Sequence, residues 1–399
     1  MSYIRSPPPE NPLASGTGNI ASGAAPRPQR VSSSATRDVA TAQRPAPTTS
    51  SPVGRDGFSS PAADAVSAKV ASMTRQQKIA AIMMTYGDVK SAPASGSVIV
   101  NQTHLTAAGI PQLRERLAAA ARVQGAPVLV GADQEGGAIN RLKNVPGVAG
   151  TVFPSAKQMQ GMSLEEIRQE GVKTGRALAK AGVNMLLGPS LDVADAGTLM
   201  DKMNRSFGST PEDVKKRTQA FVDGLRAANP SLVIISKHYP GYNAKGNSDI
   251  AKVSDPSTPE QIAQRARPFF EVNGLDGVMM SSVVYPNAGG APACFNKPLI
   301  DQLRSKNPSL VVMTDDLMAT SLSPTKSAAE ITANAQKAFL AGNDVILSMD
   351  SRANKTIATA LDALISKNPE LQKQLDASVA RVLALRMRQA KPASTLAAA

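Results

Sequence analysis

Side chains that build metal sites and disulfides are scarce in this chain of 399 residues. Cys294 is the only cysteine, which excludes an intramolecular disulfide and leaves no thiolate metal site. His104 and His238 are the only histidines, which argues against a histidine-based metal centre. The sequence also shows no clustering of carboxylates for a hard cation. It therefore predicts neither a metal ion nor another cofactor.

Aromatic residues are also scarce, at 3% of the chain, and tryptophan is absent. The net charge of +13 invites a nucleic-acid interpretation, because lysine and arginine neutralise phosphates. The basic residues are spread along the whole chain, however, and they do not alternate with aromatics that could stack on bases. The pattern favours a solvated basic surface and predicts no nucleic-acid partner. It leaves the oligomeric state open.

Long apolar runs and several catalytic motifs are missing. No run approaches the roughly 18 residues of a membrane span, and the amino terminus lacks the apolar region of a classical signal peptide. There is no G-x-x-x-x-G-K-[ST], no G-x-G-x-x-G after a strand and no G-x-S-x-G elbow. Any chemistry must therefore run on carboxylates, together with Lys237, His238 and Arg205.

Residues 1–60 are dominated by proline, serine, alanine, threonine and glycine, and they contain arginine but no lysine. Such a segment cannot bury enough apolar surface to offset its chain entropy. We expect a disordered leader ahead of one barrel domain at residues 61–399. An arginine- and serine-rich leader can be a transit peptide or an address for a specialised bacterial secretion system, and a plain flexible tail is the alternative. Either a cytoplasmic or an exported bacterial protein is compatible with it.

Apolar strand-like runs alternate with capped helices after residue 60. Thr74 and Gln77 predict a capping box for a first helix that continues to Met83, and Ser327 and Glu330 predict another. The alternation predicts an α/β fold, namely a (β/α)₈ TIM-type barrel. An eighth strand is not evident, which leaves an incomplete or irregular barrel open. The seven predicted strands are 97–100, 127–130, 184–187, 232–235, 277–280, 310–313 and 344–347.

Charged residues lie just beyond several of these runs. The second run leads through Gly131 and Ala132 to Asp133, the fourth through Ser236 to Lys237 and His238, and the sixth through Thr314 to Asp315. The carboxyl ends of parallel barrel strands meet at one face, where α/β-barrel enzymes keep their catalytic groups. Two well-placed carboxylates are what glycoside hydrolysis requires.

Four ordered motifs make the chain resemble glycoside hydrolase family 3. Residues 133–137 with Arg141 are similar to the family's D-Q-E-G-G-x-x-x-R signature, and residues 204–208 to its N-R-S-F-G. Residues 237–241 are similar to K-H-F-P-G, and residues 314–317 to S-D-D-L. Within the family, the resemblance points to the bacterial β-N-acetylhexosaminidases that consist of a single barrel.

The resemblance implies roles for particular residues. Asp315 matches the family's nucleophile and would form the covalent glycosyl-enzyme of a retaining mechanism. Asp192 matches an element that we interpret as mostly architectural. The positions that match the family's sugar-binding residues are Asp133, Arg141, Arg205, Lys237 and His238.

The departures from the family pattern concern the proton donor. Tyr242 stands where many members have a second histidine, and no histidine follows His238. Residues 246–249 instead look like a G-N-T-D variant from another bacterial branch, which makes Asp249 the candidate acid/base. Burial or a neighbouring carboxylate would have to raise its pKa. Ser281 and Ser282 also stand where some relatives have a histidine.

Together these features imply a retaining exo-glycosidase that hydrolyses terminal β-linked N-acetylglucosamine from cell-wall fragments or related glycans. One alternative is a carbohydrate-binding pseudoenzyme with a degraded proton donor. The other is a β-glucosidase of the same family.

Overall fold

The computed structural model describes residues 61–87 and 94–389, so the predicted leader at residues 1–60 lies outside the described residues. Within these ranges, eight parallel strands form one sheet with the order β7-β6-β5-β4-β3-β2-β1-β8. Apart from the two ends of this order, each strand therefore lies beside its sequence neighbours. The strands are β1 (Met83–Tyr86), β2 (Ser97–Ile99), β3 (Leu129–Ala132), β4 (Met185–Ser190), β5 (Val233–Tyr239), β6 (Gly277–Met280), β7 (Val311–Thr314) and β8 (Ile346–Ser348).

The two ends of the sheet meet. The backbone N–H of Thr314 donates to the carbonyl of Val345 at 3.0 Å, and the Val345 N–H donates to Val312 at 3.1 Å. The N–H of Leu347 donates to the hydroxyl of Thr314 at 2.9 Å. These bonds close the sheet into a barrel, and the predicted α/β TIM-type barrel is confirmed.

The strand that the sequence did not reveal is β1. The first predicted helix was expected to continue to Met83, but α2 ends at Ala81 and the chain passes directly into the sheet. Met84 pairs with Ser97 of β2 and with Leu347 of β8, and its side chain lies in the apolar interior of the barrel. Residues 83–86 are thus a strand because partners far along the chain supply their hydrogen bonds.

Helices cover the outside of the barrel, and most begin at a capping residue. Thr74 and Gln77 form the predicted capping box. The box predicted at Ser327 is only half formed, since Ser327 accepts from the Glu330 N–H while the Glu330 carboxylate accepts from Thr325. The helices are α1 (Pro61–Ser72), α2 (Arg75–Ala81), α3 (Gly109–Gln124), α4 (Ala156–Met159), α5 (Leu164–Ala181), α6 (Leu199–Lys202), α7 (Pro211–Ala228), α8 (Pro259–Glu271), α9 (Lys297–Lys306), α10 (Ala328–Ala341), α11 (Asn354–Ile365) and α12 (Pro369–Arg388).

The last helix, α12, packs against the barrel. Its Val382 joins the apolar cluster that fills the barrel interior. Its Arg386 is buried and donates to the carbonyls of Pro127 and Ala126, just before β3. Because these contacts lie at the amino ends of the strands, the carboxyl ends remain as the open face. Among the described residues, no helix is long and apolar enough to cross a membrane.

Candidate active site

The predicted site residues converge at the carboxyl ends of the strands. Asp133 directly follows β3, Lys237 and His238 lie in the second half of β5, and Asp315 directly follows β7. Arg205 comes from the long segment between β4 and α7. Residues that are more than a hundred positions apart in sequence therefore meet at one end of the barrel, which we call its mouth.

A buried ionic network forms the floor of this mouth. The ammonium of Lys237 lies 2.5 Å from Oδ1 of Asp133 and 2.8 Å from Oε1 of Glu135. Arg205 donates two parallel hydrogen bonds to the Glu135 carboxylate, each of 2.8 Å. The side chains of Lys237 and Glu135 are only 3% and 5% exposed. Two cations thus alternate with two anions, and this alternation fixes the geometry of all four groups.

Ion pairing affects the pKa values of these groups more strongly than burial does. Burial alone would raise the pKa of the Glu135 carboxyl, but Arg205 and Lys237 hold that pKa well below its ordinary value. Burial would likewise lower the pKa of Lys237, but Asp133 and Glu135 raise it. The pKa of Asp133 is lowered against burial by Lys237 and by the nearby Arg141. All these groups therefore stay charged at neutral pH and can make charge-assisted hydrogen bonds to a polar ligand.

His238 is oriented by Asp192, which is completely buried. Oδ2 of Asp192 lies 2.7 Å from Nδ1 of His238, and Oδ1 accepts from the backbone N–H groups of His238 and Tyr242. Burial opposes the charge on Asp192, but the imidazole and these N–H donors lower its pKa. The ionised carboxylate keeps a proton on Nδ1, and Nε2 lies 3.4 Å from the guanidinium of Arg205. Asp192, which we interpreted as architectural, therefore sets the tautomer of a site residue.

The two adjacent carboxyl groups after β7 have different surroundings. Oδ1 of Asp315 accepts from the Asp316 N–H at 2.8 Å, and Oδ2 lies 3.3 Å from the hydroxyl of Ser282. Asp316 turns the other way, and its Oδ1 accepts from the N–H groups of Met318 and Met349. Burial, with a contribution from Asp315, raises the pKa of Asp316 to about 7. Asp316 is therefore bound to the backbone through Oδ1, whereas Asp315 also contacts the Ser282 side chain through Oδ2.

Asp249 lies on a short segment, residues 246–249, which we call the Asp249 loop. The hydroxyl of Tyr242 donates to the carbonyl of Gly246 at 2.7 Å and accepts from the Ser248 N–H at 2.9 Å. The carbonyl of Asp249 accepts from the N–H and the hydroxyl of Thr320. The loop is thus bonded both to the end of β5 and to the segment that follows Asp315.

Asp249 is exposed to solvent. Desolvation within the cleft and then the charge of Asp315 raise its pKa, while Arg205 and His238 oppose the rise. These interactions place Asp249 in the same electrostatic environment as the other predicted residues. A carboxyl group with a raised pKa beside a carboxylate is the arrangement that separates a proton donor from a nucleophile.

The structure therefore assembles all seven residues selected from the sequence, and their individual roles stay predictions. Sequence reasoning missed Glu135, which joins Arg205 to Lys237, although it lies inside the D-Q-E-G-G motif. It also did not assign roles to Tyr242 and Ser282. Over residues 61–87 and 94–389, no group of three or more histidine, cysteine, aspartate or glutamate side chains could hold a metal ion.

An α/β barrel that carries two carboxyl groups and a network of fixed charges at the carboxyl ends of its strands has the groups that a glycoside hydrolase uses. Residues 61–385 match the model of the glycosyl hydrolase family 3 N terminal domain. The chain belongs to glycosyl hydrolase family 3, as its motifs implied.

Named relatives lie in the same family. A β-hexosaminidase of Idiomarina loihiensis is 28% identical over 311 residues, which cover 75% of this chain and 90% of that protein. The solved family 3 β-N-acetylglucosaminidase from Paenibacillus sp. str. FPU-7 is 29% identical with a TM-score of 0.71, and the match covers 80% of this chain but 63% of the other. The β-N-acetylhexosaminidase from Beutenbergia cavernae is 26% identical with a TM-score of 0.69, over 79% and 99% of the two chains.

Proposed function

We propose that this glycosidase removes terminal β-linked N-acetylglucosamine by a retaining mechanism. The observation that carries the proposal is the pair Asp315 and Asp249, whose charges interact, and Asp249 also interacts electrostatically with Arg205 and Asp133 of the ionic network. Relatives named β-hexosaminidase and β-N-acetylglucosaminidase support the choice of sugar.

In the first step, a carboxylate oxygen of Asp315 attacks the anomeric carbon and the bond to the leaving oxygen breaks. Asp249 gives its proton to that oxygen, and the released alcohol leaves. In the second step, ionised Asp249 removes a proton from water, and the resulting hydroxide displaces Asp315 from the sugar. The sugar is released with its original anomeric configuration, and Asp249 is protonated again.

The change of role by Asp249 follows from its surroundings. While Asp315 is ionised, its charge disfavours a second negative charge and raises the pKa of Asp249. Once Asp315 is esterified, that charge is gone and the pKa of Asp249 falls. The same carboxyl group is therefore an acid in the first step and a base in the second.

We also propose that the substrates are cell-wall fragments or related glycans, and that the leader addresses a bacterial protein for export. The family resemblance and the composition of residues 1–60 support these two proposals. A protein that stays in the cytoplasm and acts on recycled fragments is the alternative. Fractionation of cells that express the full chain with and without residues 1–60 distinguishes them.

The proposed nucleophile is tested by covalent trapping. We expect an activated fluorinated N-acetylglucosaminide to leave a sugar on the peptide that contains Asp315, as detected by mass spectrometry. Asp315→Asn should lose at least about three orders of magnitude of activity on an aryl N-acetyl-β-glucosaminide, because an amide does not attack the anomeric carbon. Asp316→Asn is the matched control, since it changes the neighbouring carboxyl group that is bound to the backbone. Activity that survives in Asp315→Asn but not in Asp316→Asn would move the nucleophile to Asp316.

A carbohydrate-binding pseudoenzyme is the second candidate. The presence of Tyr242 in place of the family's loop histidine favours it. A pure binding protein cleaves nothing, whereas an enzyme with a weak acid still cleaves aryl glycosides with good leaving groups. Assays on an activated aryl glycoside and on a natural disaccharide therefore separate the two candidates.

A further inference from the structure

One side chain contacts both the predicted nucleophile and the Asp249 loop. Ser282 lies just beyond β6, and its Oγ is 3.3 Å from Oδ2 of Asp315 and 2.9 Å from Oγ of Ser248. Ser248 immediately precedes Asp249 in the chain. A row of hydrogen-bonding groups therefore runs from one catalytic carboxyl group to the residue beside the other.

The direction of these hydrogen bonds depends on the charge of Asp315. The hydroxyl of Ser282 has one proton, so it donates to only one of its two partners at a time. Ionised Asp315 can only accept, and a carboxylate is a stronger acceptor than a hydroxyl. While Asp315 is charged, Ser282 therefore donates to it rather than to Ser248. When Asp315 carries a sugar, the proton is free to turn towards Ser248.

Water does not compete for these bonds. Ser282 is fully buried and Ser248 is 2% exposed. The backbone of Ser248 is also held on both sides, since its N–H donates to Tyr242 and its carbonyl accepts from Ser321. With its backbone fixed and no solvent available, the Ser248 hydroxyl depends on Ser282 as a partner.

We propose that Ser282 is a positioning residue that aligns both catalytic carboxyl groups. Its hydroxyl holds one oxygen of Asp315 while that residue is charged, and once Asp315 carries the sugar it can hold Ser248, in the loop that presents Asp249. The inference rests on the proposed roles of Asp315 and Asp249. It concerns a position where, by family resemblance, some relatives have a histidine, so Ser282 belongs to this chain's own version of the site.

The test compares Ser282→Ala with Ser281→Ala. Both serines are fully buried and adjacent, but the Ser281 hydroxyl accepts from the Val283 N–H instead of contacting Asp315. We expect Ser282→Ala to slow covalent trapping on the Asp315 peptide about tenfold, as for one lost hydrogen bond to a charged group. Trapping by Ser281→Ala should stay within about twofold of the wild type.

Two further measurements separate positioning from a structural effect. The dissociation constant of free N-acetylglucosamine should change less than about twofold in Ser282→Ala, because the ionic network that binds the sugar is untouched. Ser248→Ala removes the hydroxyl at the far end of the row. The trapping rate of the double variant Ser248→Ala/Ser282→Ala should be little lower than that of Ser282→Ala alone. Ser248→Ala also keeps the test available if Ser282→Ala fails to fold.

The outcomes distinguish the inference from the function on which it rests. If the wild type leaves no sugar on the Asp315 peptide, the proposed nucleophile fails and the role of Ser282 falls with it. If the wild type is trapped and Ser282→Ala is trapped at the same rate, only the role of Ser282 is wrong. Fully additive losses in the double variant, or a sugar affinity that falls as much as the trapping rate, would also overturn it.

Discussion

Replacing Glu135 with glutamine should destabilise the whole barrel. The change is nearly isosteric, but it removes the anion that Arg205 and Lys237 share. The wild-type network has two cations and two anions, and the variant keeps both cations with Asp133 as their only carboxylate. One positive charge is then uncompensated in a site where the side chains of Lys237 and Arg205 are 3% and 14% exposed.

The expected size follows from that burial. Removing one partner of a buried ion pair costs roughly 3–5 kcal/mol, because the remaining charge is left without compensation. For a domain of this size, the loss corresponds to a fall in melting temperature of roughly 5–10 °C. Since the pKa of Glu135 lies well below its ordinary value of 4.5, its stabilisation is complete above that value and is lost as the pH falls further. The difference between variant and wild type should therefore be constant from pH 6 to 8, a window in which Glu135 stays ionised.

The chain contains a matched control for this experiment. Glu165 on α5 makes the same two 2.8 Å hydrogen bonds, to Arg168, but its side chain is 64% exposed. Exposed pairs contribute little, so Glu165→Gln should leave the melting temperature nearly unchanged. Urea unfolding and thermal melts of both variants test the reasoning. If Glu135→Gln and Glu165→Gln lowered the stability equally, burial would not be the reason that the ionic network stabilises the fold.

Two other variants test the acid/base residue and its neighbour. Asp249→Ala should slow cleavage of a natural disaccharide by roughly 10²–10⁴-fold, but an aryl glycoside with a good leaving group much less, and azide should rescue deglycosylation. Equal losses on both substrates without rescue would leave Asp249 with a binding role only. Asp316→Asn should stabilise the protein above pH 7 by roughly 2–4 kcal/mol, because a pKa raised from 3.8 to about 7 means that ionisation of Asp316 opposes folding. The gain should almost disappear near pH 4, where the carboxyl group is neutral in the folded protein and about half protonated in the unfolded chain, and urea unfolding at pH 4 and pH 8 measures it.

Most of the fold could be predicted from the sequence because buried parallel strands are short, continuous apolar runs. The exception was β1, where Met83 follows the helical pattern of residues 75–81 without an intervening glycine or proline. What makes residues 83–86 a strand is pairing with Ser97 and Leu347, and the second of these lies more than 250 residues away. Local periodicity carries no information about such partners.

The site was predictable to the extent that its residues lie within motifs. Asp133, Lys237 and Asp315 stand at strand ends, so topology alone brings them together. The role of Glu135 could not be seen, because its partner Arg205 is 70 residues away and the bidentate contact exists only in the folded barrel. Ser282 was visible only as a departure from a family pattern, without a sign of what its hydroxyl would contact.

The attachment of the Asp249 loop to residues 320 and 321 has a kinetic consequence. A loop that is already seated when the sugar arrives loses little conformational entropy on binding, so ordering it adds little to the barrier of each turnover. Release of the product, in contrast, requires the seated loop to move. Moving the loop aside breaks several bonds or drags along the segment that follows Asp315, so an opened cleft has lost the alignment of its two carboxyl groups. The loop that moves for entry and exit therefore also carries the proposed acid/base residue, so the enzyme cannot react while this loop is open.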